Sequence, residues 1–478
     1  MQDTLNYSFQ GGVIGTSKSY LPLYSHALRG GVYDYDFNGV YVNSKVDYKK
    51  TITEHLSLTN KFSAYLLTQD QSLLIQEAYT EVHYDWLNFL VGWKQMNDRQ
   101  IEYPTFGSYG ISMNARPIPK VGFYVPEFTK LPFASGFFEF KASFFHGWFE
   151  EDRYISNPLL HEKSIYLSLG GGTRWKLWGG LNHFVVYGGV DPDSGENLYH
   201  GFDDFTKVFM GKGREVPAQG EENAIGNHLG YWIFTLSYEF NDFDVELYNE
   251  SVFDDGKGWQ FWNLDESKDR IVGLNFDFEE KSNLFLNKLS LLFMTTKFQQ
   301  GPGLPDQLSP DIDNFGFPFG GRDDFYNNFF YRSGWTHKGR IIGNPLFIER
   351  DLSDIYFGTI PDYEVAIVNN RIRAYHLGIE FDSWGWNWRF LGTYTRNFGT
   401  YGGLYEGRFA WEGIQTDSDF EYTFLPRRDQ TYFLLESKSR PFKNKKVHLG
   451  LSLTLDSGQI TNNFGFGASL SYSDFLVK

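Results

Sequence analysis

The stretch Lys446–Asp456, KVHLGLSLTLD, decides how the rest of the chain reads. Val447, Leu449, Leu451, Leu453 and Leu455 fall on one face. Lys446, His448, Gly450, Ser452, Thr454 and Asp456 fall on the other. Residues two apart share a face only in an extended strand, so period-two alternation predicts a strand with one apolar and one polar side. The pattern recurs outward from this stretch. Trp232, Phe234, Leu236, Tyr238 and Phe240 oppose Ile233, Thr235, Ser237 and Glu239. Phe243, Val245 and Leu247 alternate with acids, and Val272, Leu274, Phe276 and Phe278 with Gly273, Asn275 and Asp277. Phe138–Phe144, Leu87–Trp93 and Phe464–Tyr472 repeat it.

These runs are about 9–11 residues long, the length a tilted strand needs to cross a bilayer and longer than the usual soluble strand. Aromatic residues gather near their ends, where interface girdles lie. Tight turns such as Phe240–Asp242 alternate with long excursions such as Gln299–Asn344. The expected architecture is all-β: one closed antiparallel transmembrane β-barrel spanning 1–478, with long extracellular loops. At roughly 25 residues per strand, turn and loop share, the chain holds about 18 strands within a range of 16–20. A soluble sandwich pair or propeller is the alternative. A propeller requires self-similarity every 40–50 residues or so, and none is visible. Ser17–Arg29 breaks the alternation and is expected to form a small inward plug. The stretch 300–345 is expected to be a long loop, its first part rich in Pro and Gly.

Composition agrees. The chain carries Phe 47, Tyr 31, Trp 13 and Gly 50, a bias toward strands and turns rather than helix interiors. The net charge of −16 argues against a nucleic-acid partner, which needs a basic footprint. There is no cysteine, hence no disulfide, thiolate metal site or cysteine nucleophile. No run of 18 apolar residues exists, so no transmembrane helix is expected. No signal peptide opens the sequence. The expected location is the outer membrane of a Gram-negative bacterium, with a signal peptide removed or absent from this sequence.

Catalytic signatures are missing: no GxSxG, no HExxH, no Walker loop. His161–Glu162 starts like a zincin helix without its second histidine. The reading is therefore no enzyme, no metal and no cofactor. Asp191 and Asp193 alone resemble the opening of a calcium loop, though later ligands are out of register and an Asx-type turn accounts for them.

The most informative segment is Asp323–Phe347, DDFYNNFFYRSGWTHKGRIIGNPLF. It is polar, aromatic and not alternating. Aromatic rings stack on sugar C–H faces, amides bond hydroxyls, and arginine forks match carboxylates. Arg332, Trp335, His337, Arg340 and Asn344, with Asn327 and Asn328, are the candidate polysaccharide contacts: Trp335 to stack, Arg332 and Arg340 to pair acidic groups. The alternative is a segment packed in the lumen as a plug. Asn182–His183 and Asn227–His228, each beside glycine, are the candidate lumen supports.

At these residues the sequence resembles the Wzi-type capsule assembly proteins of Gram-negative outer membranes. The likeness rests on GLNH at Gly180–His183, GNHLG at Gly226–Gly230 and YRSGWTHKGRIIGNPL at Tyr331–Leu346. It implies an 18-stranded closed barrel acting as a surface lectin, which binds capsular polysaccharide and helps assemble or anchor it without catalysis. The type member also has a periplasmic helical bundle near its N-terminus, for which the first 60 residues here leave little room. The implied partners are surface polysaccharide, the lipid bilayer and lipopolysaccharide. Two other functions fit a barrel with such loops: an accessory subunit binding other outer-membrane proteins, or a sugar or peptide channel. An outer-membrane hydrolase is the third rival.

Overall fold

Alternation builds a single antiparallel sheet that closes on itself. In the computed structural model, residues 3–69, 72–97, 103–132, 134–198, 201–213, 224–254, 268–278, 285–299, 323–358, 365–400, 423–424, 427–439 and 446–477 are described. The first strands are β1 (Thr4–Thr16), β2 (Gly39–Thr51), β3 (Leu56–Leu67), β4 (Ser72–Tyr84) and β5 (Leu87–Trp93). β6 runs over Lys120–Tyr124 and resumes at Thr129–Lys130, both pieces pairing with β7 (Phe138–Trp148). Then come β8 (Leu159–Leu169), β9 (Trp175–Tyr187), β10 (Asn227–Glu239), β11 (Asp244–Phe253), β12 (Arg270–Asp277) and β13 (Leu286–Thr295). The last five are β14 (Ile372–Ser383), β15 (Trp386–Asn397), β16 (Arg428–Ser439), β17 (Val447–Gly458) and β18 (Asn463–Val477).

The sheet has nineteen ladder segments, and two of them form the broken β6, which makes eighteen strands. Each strand pairs with its sequence neighbour. β1 then pairs with β18, from Thr4↔Val477 to Thr16↔Gly465, and no edge remains. Closure matters because unpaired backbone amides are costly in hydrocarbon. Strands run from 7 to 15 residues apart from the broken β6, so many exceed the expected length. Among the described residues no helix is long and apolar enough to cross a membrane.

The apolar face of each strand points outward. Leu451, Leu453 and Leu455 are 42–48% exposed, and Ile165 and Leu167 are 56% and 59% exposed. Exposed leucine at this density is stable only against lipid. A girdle of Phe138, Trp175, Tyr238, Phe240, Trp384 and Phe475 surrounds the end that carries the short turns and both ends of the chain. Short turns mark the periplasmic rim of such barrels.

Toward the extracellular side the described interior is packed. Among the described residues, three stretches on the opposite, extracellular side fold inward: 17–38, 103–119, and 323–358 with 365–371. Tyr24, Phe106, Tyr109, Phe325, Tyr326 and Trp335 are all at most 1% exposed and share one apolar core. Residues 17–29 include helix α1 (Leu23–His26). Leu23 N donates to Asp456 Oδ2 at 2.9 Å, Tyr24 Oη meets Thr393 Oγ1 at 2.5 Å, and Arg29 pairs with Glu436. These contacts moor the segment to β15, β16 and β17. On β14 a Cβ at Gly378 would lie 1.8 Å from the Pro104 carbonyl oxygen, so only glycine lets the 103–119 segment rest there. Ser112 and Asn114 donate to the carbonyls of Gly343 and Ile341 at 2.6 and 2.9 Å, tying the inner segments together. The lumen wall carries ion pairs, including Lys120–Glu162 at 2.8 Å and Lys61–Glu77 at 2.7 Å. The Pro/Gly-rich stretch 300–322 lies outside the described residues.

Candidate functional site

The segment 323–347 forms the plug's centre, and this corrects several sequence expectations. Trp335 is fully buried. Its Nε1 donates to the Gly110 carbonyl at 2.7 Å, and its ring packs 5.6 Å from Phe184 and 6.4 Å from Phe149. It therefore offers no face to a sugar. Arg340 is likewise inside, donating to the Tyr33 carbonyl at 2.6 Å with its guanidinium over the Tyr35 ring. Asn344 is fully buried, its Oδ1 accepting from Leu346 N at 3.1 Å. Asn327 clamps Ile367 through both N–H and C=O. Asn328 donates to Asn227 Oδ1 at 3.2 Å and so joins plug to wall. The physical reason is common to all: a segment this aromatic is stabilised more by burial than by solvent exposure.

The proposed lumen supports divide. Asn182 and Asn227 face inward, where Asn182 Oδ1 accepts from Tyr166 Oη at 2.6 Å. His183 and His228 face outward, on the register of Leu177 and Leu236. Adjacent residues of a strand point to opposite faces, so an Asn–His pair cannot both line a lumen. The two histidines meet each other instead, Nε2 to Nδ1 at 3.0 Å. By the same rule His161 points out and Glu162 points in, which ends the zincin likeness.

Among the described residues a groove of about 560 Å³ lies between the 149–158 connection and the plug's outer surface. Its lining includes Glu150, Arg153, Tyr154, Arg332, Glu349 and Asp351. The 149–158 connection is held down firmly. Arg153 is buried and donates to the carbonyls of Thr336 and Gly334 at 2.6 and 2.8 Å. Glu150 accepts from Arg153 at 3.2 Å and from Lys338 N at 2.8 Å, and bonds His337 Nδ1. Burial raises the Glu150 carboxyl, but His337 and Arg153 outweigh that and pull it down to about 2. His337 thus serves the groove's frame.

Arg332 is the exception among the expected contacts. It is half-buried, at the groove, with its guanidinium 4.1 Å from the centre of the Tyr154 ring. Its Nε has no hydrogen-bond partner among the described residues. Stacking on tyrosine pre-orients the fork without consuming its donors. Glu349, on the floor, is buried, and its Oε1 also has no partner among the described residues. Helix α3 (Arg350–Phe357) follows, with Asp351 exposed in its first turn. The sequence reading missed Glu150, Arg153, Tyr154 and Glu349. The run FEEDRY at 149–154, charged and aromatic directly after a strand, was the available signal.

Burial pushes the Glu349 carboxyl up to about 8. A raised carboxyl favours the fold while protonated. That contribution is full below its ordinary 4.5 and is lost as pH rises through about 8. Glu349→Gln stays neutral, so the variant is expected to keep α3 docked at high pH. Protease cleavage within 350–358 should increase between about pH 4.5 and 8 in the parent protein, level off above that, and stay flat in the variant. Equal pH profiles contradict this.

Asp191 closes an Asx turn, with Oδ1 accepting from Asp193 N at 3.1 Å and Oδ2 from Ser194 Oγ at 2.8 Å. Among the described residues no group of three or more His, Asp or Glu side chains could hold a metal.

A sequence model described as capsule assembly protein Wzi matches residues 24–282, more than half the chain. The chain belongs to the Wzi capsule assembly family. The match includes GLNH and GNHLG and ends before the plug segment 323–347. The fold agrees with the solved structure of Wzi from Escherichia coli, described as an outer-membrane protein involved in group 1 capsule assembly and a carbohydrate-binding β-barrel. The TM-score is 0.57 at 10% identity, covering 97% of this chain and 83% of that one. OccAB2 of Acinetobacter baumannii is similar at a TM-score of 0.50 and 9% identity, covering 99% and 98%. At such identities these two likenesses speak for the barrel alone. No curated protein matches the sequence. Family and fold together place this Wzi-family chain in the outer membrane of a Gram-negative bacterium. The first 60 described residues hold β1, α1, β2 and the start of β3, and no helical bundle.

Proposed function

We propose that this protein binds capsular or exopolysaccharide at its outer groove and holds it at the cell surface, without catalysis. The observation that carries this reading is Arg332. It is a half-buried guanidinium pre-oriented on the Tyr154 ring and lining an outward-facing groove. Arginine forks match uronates or ketal carboxylates two bonds at a time. Tyr154 bounds the ring of a sugar, and Glu349 and Asp351 supply a hydroxyl donor and an acceptor for its hydroxyls. The Escherichia coli protein's description as carbohydrate-binding supports the ligand class. The interior core, with Trp335 at its centre, favours anchoring over passage and so counts against a channel.

The test uses the intact protein in detergent micelles, an acidic capsular polysaccharide, and the same polymer with its carboxyl groups reduced to alcohols. Charge-assisted bonds contribute about 1.5–3 kcal/mol, so reduction should weaken binding roughly 10- to 150-fold. Polymer length should not change on incubation. Equal affinity for both polymers, or shortening of the chains, refutes the reading.

A further inference from the structure

The connection after β9 carries a helix that does not turn into the barrel. Its helix α2 (Phe202–Met210) lies on the outside of the barrel. Phe205 is 5.4 Å from His161, 6.3 Å from His146 and 6.4 Å from both Phe144 and Tyr187, ring to ring. Phe209 is 5.6 Å from His161 and 6.2 Å from Phe144. These partners sit on β7, β8 and β9 in the register of Phe138, Ile165 and Leu177, the lipid-facing set. Val208 is fully buried against this wall.

The helix covers a strip of wall that hydrocarbon would solvate badly. His161 is wholly buried beneath it, and Lys163 donates to the Phe209 carbonyl while its Nζ sits 4.0 Å from the Phe209 ring. Polar and charged groups on the lipid face of a barrel strand are destabilising, most of all toward mid-membrane. Away from the wall α2 shows a second apolar surface. Phe202 is 82% and Met210 60% exposed, while Asp203, Asp204 and Lys207 occupy the other arc. Phe209 contacts Lys163, which lies deeper along β8 than His161, so the phenylalanine edge of the helix points toward the membrane interior. That edge lies on the same outward face of β8 as the lipid-exposed Ile165.

We propose that α2 is seated in the outer leaflet, with Phe202 and Met210 among the acyl chains and Asp204 and Lys207 at the headgroup level. This is the geometry of an interfacial amphipathic helix, here fixed to a barrel wall. It gives the barrel a lipid contact on its polysaccharide-facing rim in addition to its strands.

The chain contains no cysteine, so single labels are clean. Phe202→Cys, Met210→Cys and Asp204→Cys would each carry an environment-sensitive fluorophore, with Leu167→Cys as the lipid-facing reference. The full protein is placed in phosphatidylcholine vesicles containing lipids with a nitroxide near the headgroup end of the acyl chain. Labels at 202 and 210 should emit to the blue of the label at 204. They should be quenched by the nitroxide lipid as the reference is, and escape aqueous iodide. The label at 204 should show the reverse. Iodide quenching at 202 and 210 equal to that at 204 overturns the proposal. So does protection of 202 and 210 from both quenchers, which would mean that protein, a partner or a second copy, covers the helix. Heat-modifiable migration of each variant in gel electrophoresis confirms that its barrel is folded.

Discussion

Alanine in place of Trp335 is expected to unseat the plug at a cost of about 3–5 kcal/mol, the range for truncating a large aromatic in a core. Trp335 is fully buried, and its Nε1 bond to the Gly110 carbonyl ties segment 323–347 to segment 103–119. Its ring also spans from Phe149, at the end of β7, to Phe184 on β9. Truncation leaves a cavity where three elements meet and an unpaired carbonyl beside it. The barrel's own ladder is untouched, because none of its strand pairs includes Trp335. The parent protein in planar bilayers should conduct almost nothing. The variant should open to measurable, fluctuating conductance, with faster proteolysis of the inner segments and unchanged barrel migration on gels. A silent Trp335→Ala channel with a protease-resistant plug contradicts the account of the interior.

Arg332→Ala should weaken binding of acidic polysaccharide roughly 10- to 150-fold, matching the loss of a charge-assisted pair of hydrogen bonds. The side chain is half-buried and makes one ring contact, so folding should change by about 1 kcal/mol at most. Arg332→Lys retains the charge and loses the fork, and is expected to recover only part of the affinity. Arg340→Ala behaves differently. Its guanidinium serves the Tyr33 carbonyl inside the plug, so the loss should appear as stability first. If alanine at 332 leaves affinity unchanged in a well-folded protein, the groove is not the site.

The fold was largely legible because a bilayer imposes one rule on every strand. Leu451, Leu453 and Leu455 must face lipid, and the sequence states this directly through period two. The strand number followed from bilayer thickness and chain length. The site was less legible for two reasons. Alternation was not applied to Asn182–His183 and Asn227–His228, although it places each histidine outside its asparagine. The fate of Trp335 depends on Gly110 and Phe184, partners 225 and 151 residues away along the chain, and no local pattern encodes them. A loop rich in aromatics reads equally as ligand platform or plug until those partners are placed. Arg332 lies at the groove because its neighbour Tyr154 comes from a short connection at the rim. Helix α2 raised no expectation, since nine residues in a long connection carry little periodic signal.

In the proposed function, glycan is held at the outer groove of a plugged barrel. Hydroxyl-radical footprinting of the folded protein, with and without acidic polysaccharide, tests it most directly. Protection should concentrate at Tyr154 and the neighbouring surface of the plug, and leave Trp178 and Phe128 in the lumen's periplasmic half unchanged. Protection at Trp178 and Phe128 with none at Tyr154 would place the ligand inside the barrel and contradict the account.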